Sequence, residues 1–291
     1  MKTWEQKLFP YLMLLPMLLI FTVFLFYPAV NGLWTSFHKW DGGNPAKFIG
    51  WEHYVTLFQD TAFWKSVGRT LLFTLISVPG IYILGLALAL LLTTSIKGRA
   101  VYRAVFYLPC LISSIVVGLA WRFLLSEDFG VVNYLLTVMG GKPVRWLTGP
   151  RNALVAVAMI SIWSMAGYYM VMFISGLQTI DTEYYDAASI DGANGWQRFL
   201  HITLPLLRPT SLLVLVLSTV AIIKTYPLVV ALTGGGPAGA TKFIVHIIQE
   251  TGFEKYKMGY ASAMTMVLFF LLMILTLLQF KFSRGGKTNE N

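Results

Sequence analysis

The sequence is poor in charge. Asp, Glu, Lys and Arg together make up 12% of its 291 residues and 56% are hydrophobic, whereas soluble domains carry about 25% charged residues. With a mean hydropathy of +0.67, an ordinary globular domain is excluded. A single cysteine, Cys110, excludes an internal disulfide. The histidines His38, His53, His201 and His246 lack metal-ligand spacing, so no metal site is expected. No segment alternates apolar and polar residues as a membrane β-barrel strand does, so helices must satisfy the backbone.

Long apolar runs are what the sequence has in abundance. A helix crossing a bilayer needs roughly 20 apolar residues, and six runs meet that need: Leu8–Val30, Thr70–Leu92, Ala104–Leu125, Ala153–Leu177, Thr210–Leu232 and Tyr260–Phe280. The expectation is an all-α polytopic membrane protein with six transmembrane helices, forming one transmembrane domain over residues 1–291. Lys2 and Lys7 before the first run imitate a secretory signal. The run is too long for a signal's apolar core, and "YPAVNG" offers no small-residue cleavage site, so it reads as an uncleaved helix.

Both termini are expected in the cytoplasm. A whole-chain tally of Lys and Arg does not separate the two sides, but the short loop holding Lys97, Arg99 and Arg103 contains no acid. Lys281, Arg284 and Lys287 follow the last run, and short loops near span ends set orientation. The net charge of +9 is then assigned to loops and termini facing lipid, not to nucleic-acid binding. The external segment after the first run is crowded with Trp34, Phe37, Trp40, Trp51, Tyr54, Phe58, Phe63 and Trp64. Such rings stack on sugars, but they also collect at membrane interfaces, which is the plainer reading.

Residues 178–209 form a cytoplasmic loop holding four of the thirteen acids: Asp181, Glu183, Asp186 and Asp191. It reads as two short helices. Asp181 or Thr182 caps the first, Gly192 supplies a permissive turn, and Asn194 with Gln197 forms a capping box for the second. Pro205 and Pro209 end that helix. Ala187, Ala188, Gly192 and Ala193 make a ridge of small side chains that another protein's groove can approach closely. "EYYDAASIDGANG" has no Lys or Arg to hold it on anionic lipid, so docking to a partner is preferred.

No Asp or Glu lies in the six runs, which disfavours an ion-coupled carrier. That alternative stays open, because backbone carbonyls at broken helices also hold sodium. "RGGKT" near the C-terminus is no phosphate loop: the motif's first glycine would fall on Lys281. Glu127, Asp128 and the scattered histidines form no catalytic constellation, so no catalytic residue is expected. The motor therefore belongs on another chain, and the loop is where its work would enter. Candidate path residues are Lys224, a cation inside a run; Tyr226 beside it; and Trp163, Tyr168 and Tyr169 at mid-depth of the fourth run. Pro227 should break the local helix ladder.

The loop resembles the EAA loop of bacterial ATP-binding-cassette (ABC) importer permeases. Asp186-Ala187-Ala188, Gly192 and Ile202-Thr203-Leu204-Pro205 stand for its Glu-Ala-Ala, glycine and Ile-x-Leu-Pro. Nearly the whole chain is similar to the carbohydrate-uptake permeases of the maltose and glycerol-phosphate type. "YRAVFYLP" ending at Pro109, then Trp121, Gly130 and Asn133, and "LTGGGP" at Leu232–Pro237 carry that likeness. Departures are Asp186 for Glu, Cys110 for a frequent Trp, His53 and Arg69 for Asn, and Tyr226-Pro227 for Phe-Asp. The resemblance implies a type I importer fold and a place in the bacterial inner membrane. It implies as partners a second permease, an ABC ATPase dimer that binds ATP and Mg, and an extracytoplasmic sugar-binding protein. This chain then binds no cofactor of its own.

Overall fold

A computed structural model describes residues 4–94 and 97–284. In chain order, α1 (Trp4–Phe21) passes through a wide π-type turn into α2 (Tyr27–Ser36). A small hairpin, β1 (His38–Lys39) and β2 (Lys47–Phe48), leads to α3 (Glu52–Gln59) and the long α4 (Thr61–Thr93). Next come α5 (Arg99–Leu111), α6 (Ser114–Leu124), α7 (Val131–Val138) and α8 (Pro150–Gln178). The short α9 (Thr182–Ile190), α10 (Gly195–Arg198) and α11 (Leu204–Leu206) precede α12 (Arg208–Ile223) and α13 (Pro227–Thr233). The chain ends with α14 (Ile244–Gln249) and α15 (Met258–Arg284).

The chain divides into two compact units. One takes the N-terminal part up to Phe63 together with Ile247–Leu271; the other takes Trp64–His246 and the chain from Leu272. In the first, Tyr11–Ser36 is an apolar stretch of 26 residues whose most hydrophobic window is 0% buried. A helix segment apolar on all sides and left uncovered suits hydrocarbon, not water. The hairpin pairs His38 with Phe48 and Lys39 with Lys47 in antiparallel register. Asp41 Oδ1 accepts from the backbone N–H groups of Gly43 (3.0 Å) and Asn44 (2.9 Å). The backbone N–H and side chain of Asn44, with the Gly43 N–H, hold the Asp41 carboxyl down at about 2. Part of the aromatic crowd serves this unit: Phe37, Trp51 and Tyr54 cluster with centroids 5.0–5.5 Å apart, and Phe63 is fully buried.

The second unit is built on α8, whose buried positions include Ala156, Ile160, Tyr169, Met170 and Phe173. Phe73 and Ile81 from α4, Val214 and Ile222 from α12, and Leu232 from α13 complete its core. Gly167 lets α5 lie directly on α8: a Cβ there would fall on the carbonyl of Phe106.

Four apolar stretches are each long enough to cross a bilayer: Tyr11–Ser36, Thr61–Thr93, Pro150–Gln178 and Met258–Lys281. Two bent pairs raise the number to as many as six among the described residues. The third expected run, Ala104–Leu125, is not one continuous helix. α5 and α6 meet at 96°, with the break at Ile112 and Ser113 in extended backbone. Pro109 stays inside α5; packing sets the bend, because α5 is held on α8 while α6 packs on α13. The fifth expected run, Thr210–Leu232, is also interrupted. α12 stops at Ile223 and α13 starts at Pro227, which has no N–H to donate to the Ile223 carbonyl.

Candidate functional site: a capped hairpin and a cavity at two helix breaks

The polar loop folds largely as its sequence requires. Pro205, however, does not end the second helix: it lies within α11, and Pro209 sits in the first turn of α12. Asp181 caps α9 by accepting from the Glu183 N–H at 3.1 Å. Asn194 and Gln197 form the expected reciprocal box at the start of α10, with bonds of 2.8 and 2.9 Å. Gly192 joins the helices at φ +77°, a left-handed conformation that other residues adopt with strain. Two side-chain ties close the hairpin. The hydroxyls of Tyr185 and Thr203 are 3.0 Å apart, and Arg198 Nη1 donates to Ser189 Oγ at 3.0 Å. Glu183, Asp186, Ala187, Asp191 and Gly192 are exposed, while Ala188 and Pro205 are half-buried. Ile190 is 87% exposed and Trp196 66% exposed, so the hairpin tip presents uncovered apolar side chains beside its acids.

Within the second unit lies a cavity of about 480 Å³, in the size range of small-molecule sites. Both helix breaks line it: Leu111 and Ile112 from the α5–α6 bend, and Lys224, Thr225 and Pro227 from the α12–α13 interruption. Tyr168 and Tyr169 of α8 lie against it with rings edge to face at 5.1 Å. Thr225 Oγ1 donates to the Ala221 carbonyl at 3.1 Å, and the Tyr226 N–H to the Lys224 carbonyl at 2.8 Å. Lys224, Tyr168 and Tyr169 are thus brought together. Trp163 and Tyr226 are not among the residues lining this cavity. The Trp163 ring meets Trp121 edge-on at 5.5 Å, and that of Tyr226 meets His246 at the same distance. Sequence reasoning missed Tyr107 and Cys110, which line the same wall.

The first unit holds a larger groove of about 910 Å³, lined by Trp40, Lys47, Glu52, His53 and Tyr260 among others. Burial pushes the His53 ring below its ordinary value, against the pull of the His38 carbonyl, to which Nε2–H donates at 3.2 Å. Among the described residues no group of three His, Cys, Asp or Glu side chains is placed to hold a metal. The glycine-lysine tail beyond Arg284 lies outside the described residues.

Several apolar helices, two of them interrupted at a common cavity, define a multi-pass membrane protein. The chain belongs to the family of binding-protein-dependent transport system inner membrane components, whose profile matches residues 62–285. Members are permease subunits, not enzymes. Among its relatives is the trehalose/maltose transport system permease protein of Thermococcus litoralis, 34% identical over 284 residues, covering 96% of this chain and 95% of the relative. The sulfoquinovosyl glycerol transport system permease protein of Agrobacterium fabrum is 33% identical over 273 residues, covering 93% and 89%. A solved bacterial ABC transporter involved in importing the acidic polysaccharide alginate has a chain that superposes with a TM-score of 0.85 at 27% identity, over 98% of both chains. The same type of transporter, in complex with an alginate pentasaccharide-bound periplasmic protein, matches at 0.85 and 25% identity over 97% and 98%.

Proposed function

We propose that the chain is a permease subunit of an ATP-driven importer for a carbohydrate, delivered by an extracytoplasmic binding protein. The observation that carries this reading is the capped, exposed hairpin at 181–205, which leaves Asp186, Ile190 and Trp196 uncovered beside a membrane domain. A polar hairpin of that kind favours a protein partner over lipid. The carbohydrate assignment draws support from relatives and solved transporters whose names state sugar substrates. In this reading residues 1–291 act as one six-span domain, with both termini in the cytoplasm of a bacterial inner membrane. A second permease completes the pathway. An ABC ATPase dimer binds ATP and Mg and receives the hairpin through Glu183, Asp186, Ala187, Ala188, Asp191, Gly192 and Pro205.

The mechanism is a switch between two packed states, biased by nucleotide on the partner chain and carried through the hairpin. Lys224, Tyr168 and Tyr169 contact the solute on its way through. A lysine inside a span costs about 2.5–3.5 kcal/mol by insertion scales, which favours its facing a watery cavity.

The test is a gentle detergent purification of tagged protein expressed with its neighbouring genes. Recovery of a nucleotide-binding ATPase and a second multi-span permease in stoichiometric amounts supports the importer. Recovery of the chain alone, with uptake that persists without ATP, would overturn it in favour of an ion-coupled carrier.

A further inference from the structure

The charge balance of the 480 Å³ cavity is one-sided. Of its sixteen lining residues, Lys224 is the only ionised one, and none is Asp or Glu. Among the described residues no ion pair to Lys224 is formed. The C-terminal end of α12, where Lys224 sits, offsets at most about half a charge. A net positive cavity is left, walled by apolar side chains that strengthen its field. Tyr168, Tyr169, Thr225 and Ser164 line the same cavity; their hydroxyl groups suit sugar hydroxyls but carry no neutralising charge.

We infer that the transported solute is an anionic carbohydrate, carrying a carboxylate, phosphate or sulfonate that pairs with Lys224 while the tyrosine and threonine hydroxyls take its neutral part. This inference rests on the reading of the cavity as part of the solute pathway. Lys224 is exposed, so an entering solute displaces part of its water; a neutral sugar returns hydroxyl contacts but no counter-charge. An acidic one supplies the missing charge as it arrives, so selection and binding come from the same contact. The compact ammonium of lysine, on its flexible stem, binds such a group as a point charge and lets it leave again, which a conduit needs more than a receptor does.

The test uses the intact importer, with its partner permease, ATPase and binding protein, in proteoliposomes. ATP-dependent uptake is measured for matched pairs: trigalacturonate and galactotriose, sulfoquinovose and glucose, glycerol 3-phosphate and glycerol. The best-carried solute is expected to be acidic and to exceed its neutral counterpart by about tenfold or more, the scale of one charge-assisted contact. Lys224→Met should lower uptake of the acidic solute about tenfold, and Lys224→Arg should retain most of it. Preference for a neutral solute, or failure to carry any acidic one, overturns the inference. The pathway reading survives that result if Lys224→Met still slows whatever is carried. Uptake unchanged by Lys224→Met removes the pathway reading and the inference together. A partner-chain carboxylate paired with Lys224 would show instead as a lower yield of assembled complex for Lys224→Met, and that outcome also overturns the inference.

Discussion

The hydroxyls of Tyr185 and Thr203 lie 3.0 Å apart, joining α9 to the turn that follows α10. Thr203 is buried and Tyr185 half-buried, so the bond is shielded from competing water. It makes one rigid body of two helices that are individually too short to persist alone. Tyr185→Phe should cost about 1 kcal/mol locally. Amide exchange should quicken across 182–203 and not in α8, and the solute carried per ATP should fall. Unchanged exchange in the hairpin would show that the bond does not hold it.

Gly192 sits at φ +77°, and a Cβ added there would meet no described atom within 4 Å. Space is free there and the backbone is not, so a bulky substitution strains the turn before it obstructs a partner. Gly192→Asn, a residue that tolerates this conformation, should leave hairpin amide exchange near normal and still lower ATP-dependent uptake, because its side chain stands on the face the ATPase receives. Gly192→Val should cost about 1–2 kcal/mol. ATP-dependent uptake and hairpin amide exchange together separate strain from lost docking: a docking role predicts that even the unstrained Asn variant loses uptake.

Asn133 is buried and saturates one loop. Its Nδ2 donates to the carbonyls of Val144 (3.1 Å) and Ser126 (3.4 Å), and its Oδ1 accepts from the Val144 N–H (3.0 Å) and Trp146 Nε1 (3.1 Å). Asn133→Leu leaves these groups without partners, at about 1–3 kcal/mol for each that water cannot reach. A marked drop in the thermal midpoint of the purified complex is expected, larger than for Asn152→Leu, whose one described side-chain bond is exposed.

Gly167→Leu would drive α5 off α8, because the first side-chain carbon already meets the Phe106 carbonyl. Overpacking of this kind costs about 1–3 kcal/mol or more. Since Tyr107 lines the cavity, transport should suffer as well as stability. Gly195→Ala, with open space around it, is the control and should change the midpoint little.

His53 favours its neutral form, chiefly because it is partly buried. Its titration therefore lies below the unfolded 6.5, and the stability it contributes is present above that value and lost as pH falls below it. Between about pH 7.5 and 5.5 the thermal midpoint of the wild type should fall more than that of His53→Gln. Equal slopes would show that another group governs the acid response.

The hairpin was legible because its signals are local. Asp181, Asn194 with Gln197, and Gly192 each act within four residues, and each does in the structure what its chemistry dictates. The break after Lys224 was legible for the same reason, through Pro227. The 96° bend after Leu111 was not. Pro109 marks the wrong place, and the turn is set by α5 meeting α8 and α6 meeting α13 far along the chain. Trp163 illustrates a signal available but unused. Five residues turn a helix by roughly 140°, so a ring facing away from Tyr168 follows from helical phase alone. Cys110 carried no such signal, since a lone thiol in an apolar run reads as filler until its neighbours are known.

The two interruptions that meet at the cavity have a mechanical meaning. Within a helix, a ladder of hydrogen bonds fixes the direction of every turn; at Ile112–Ser113 and at Lys224–Tyr226 that ladder stops. The angle at each joint is then held only by what packs around it. A change of angle at either joint would alter the chamber's volume while leaving the side chains that α8 presents to it in place.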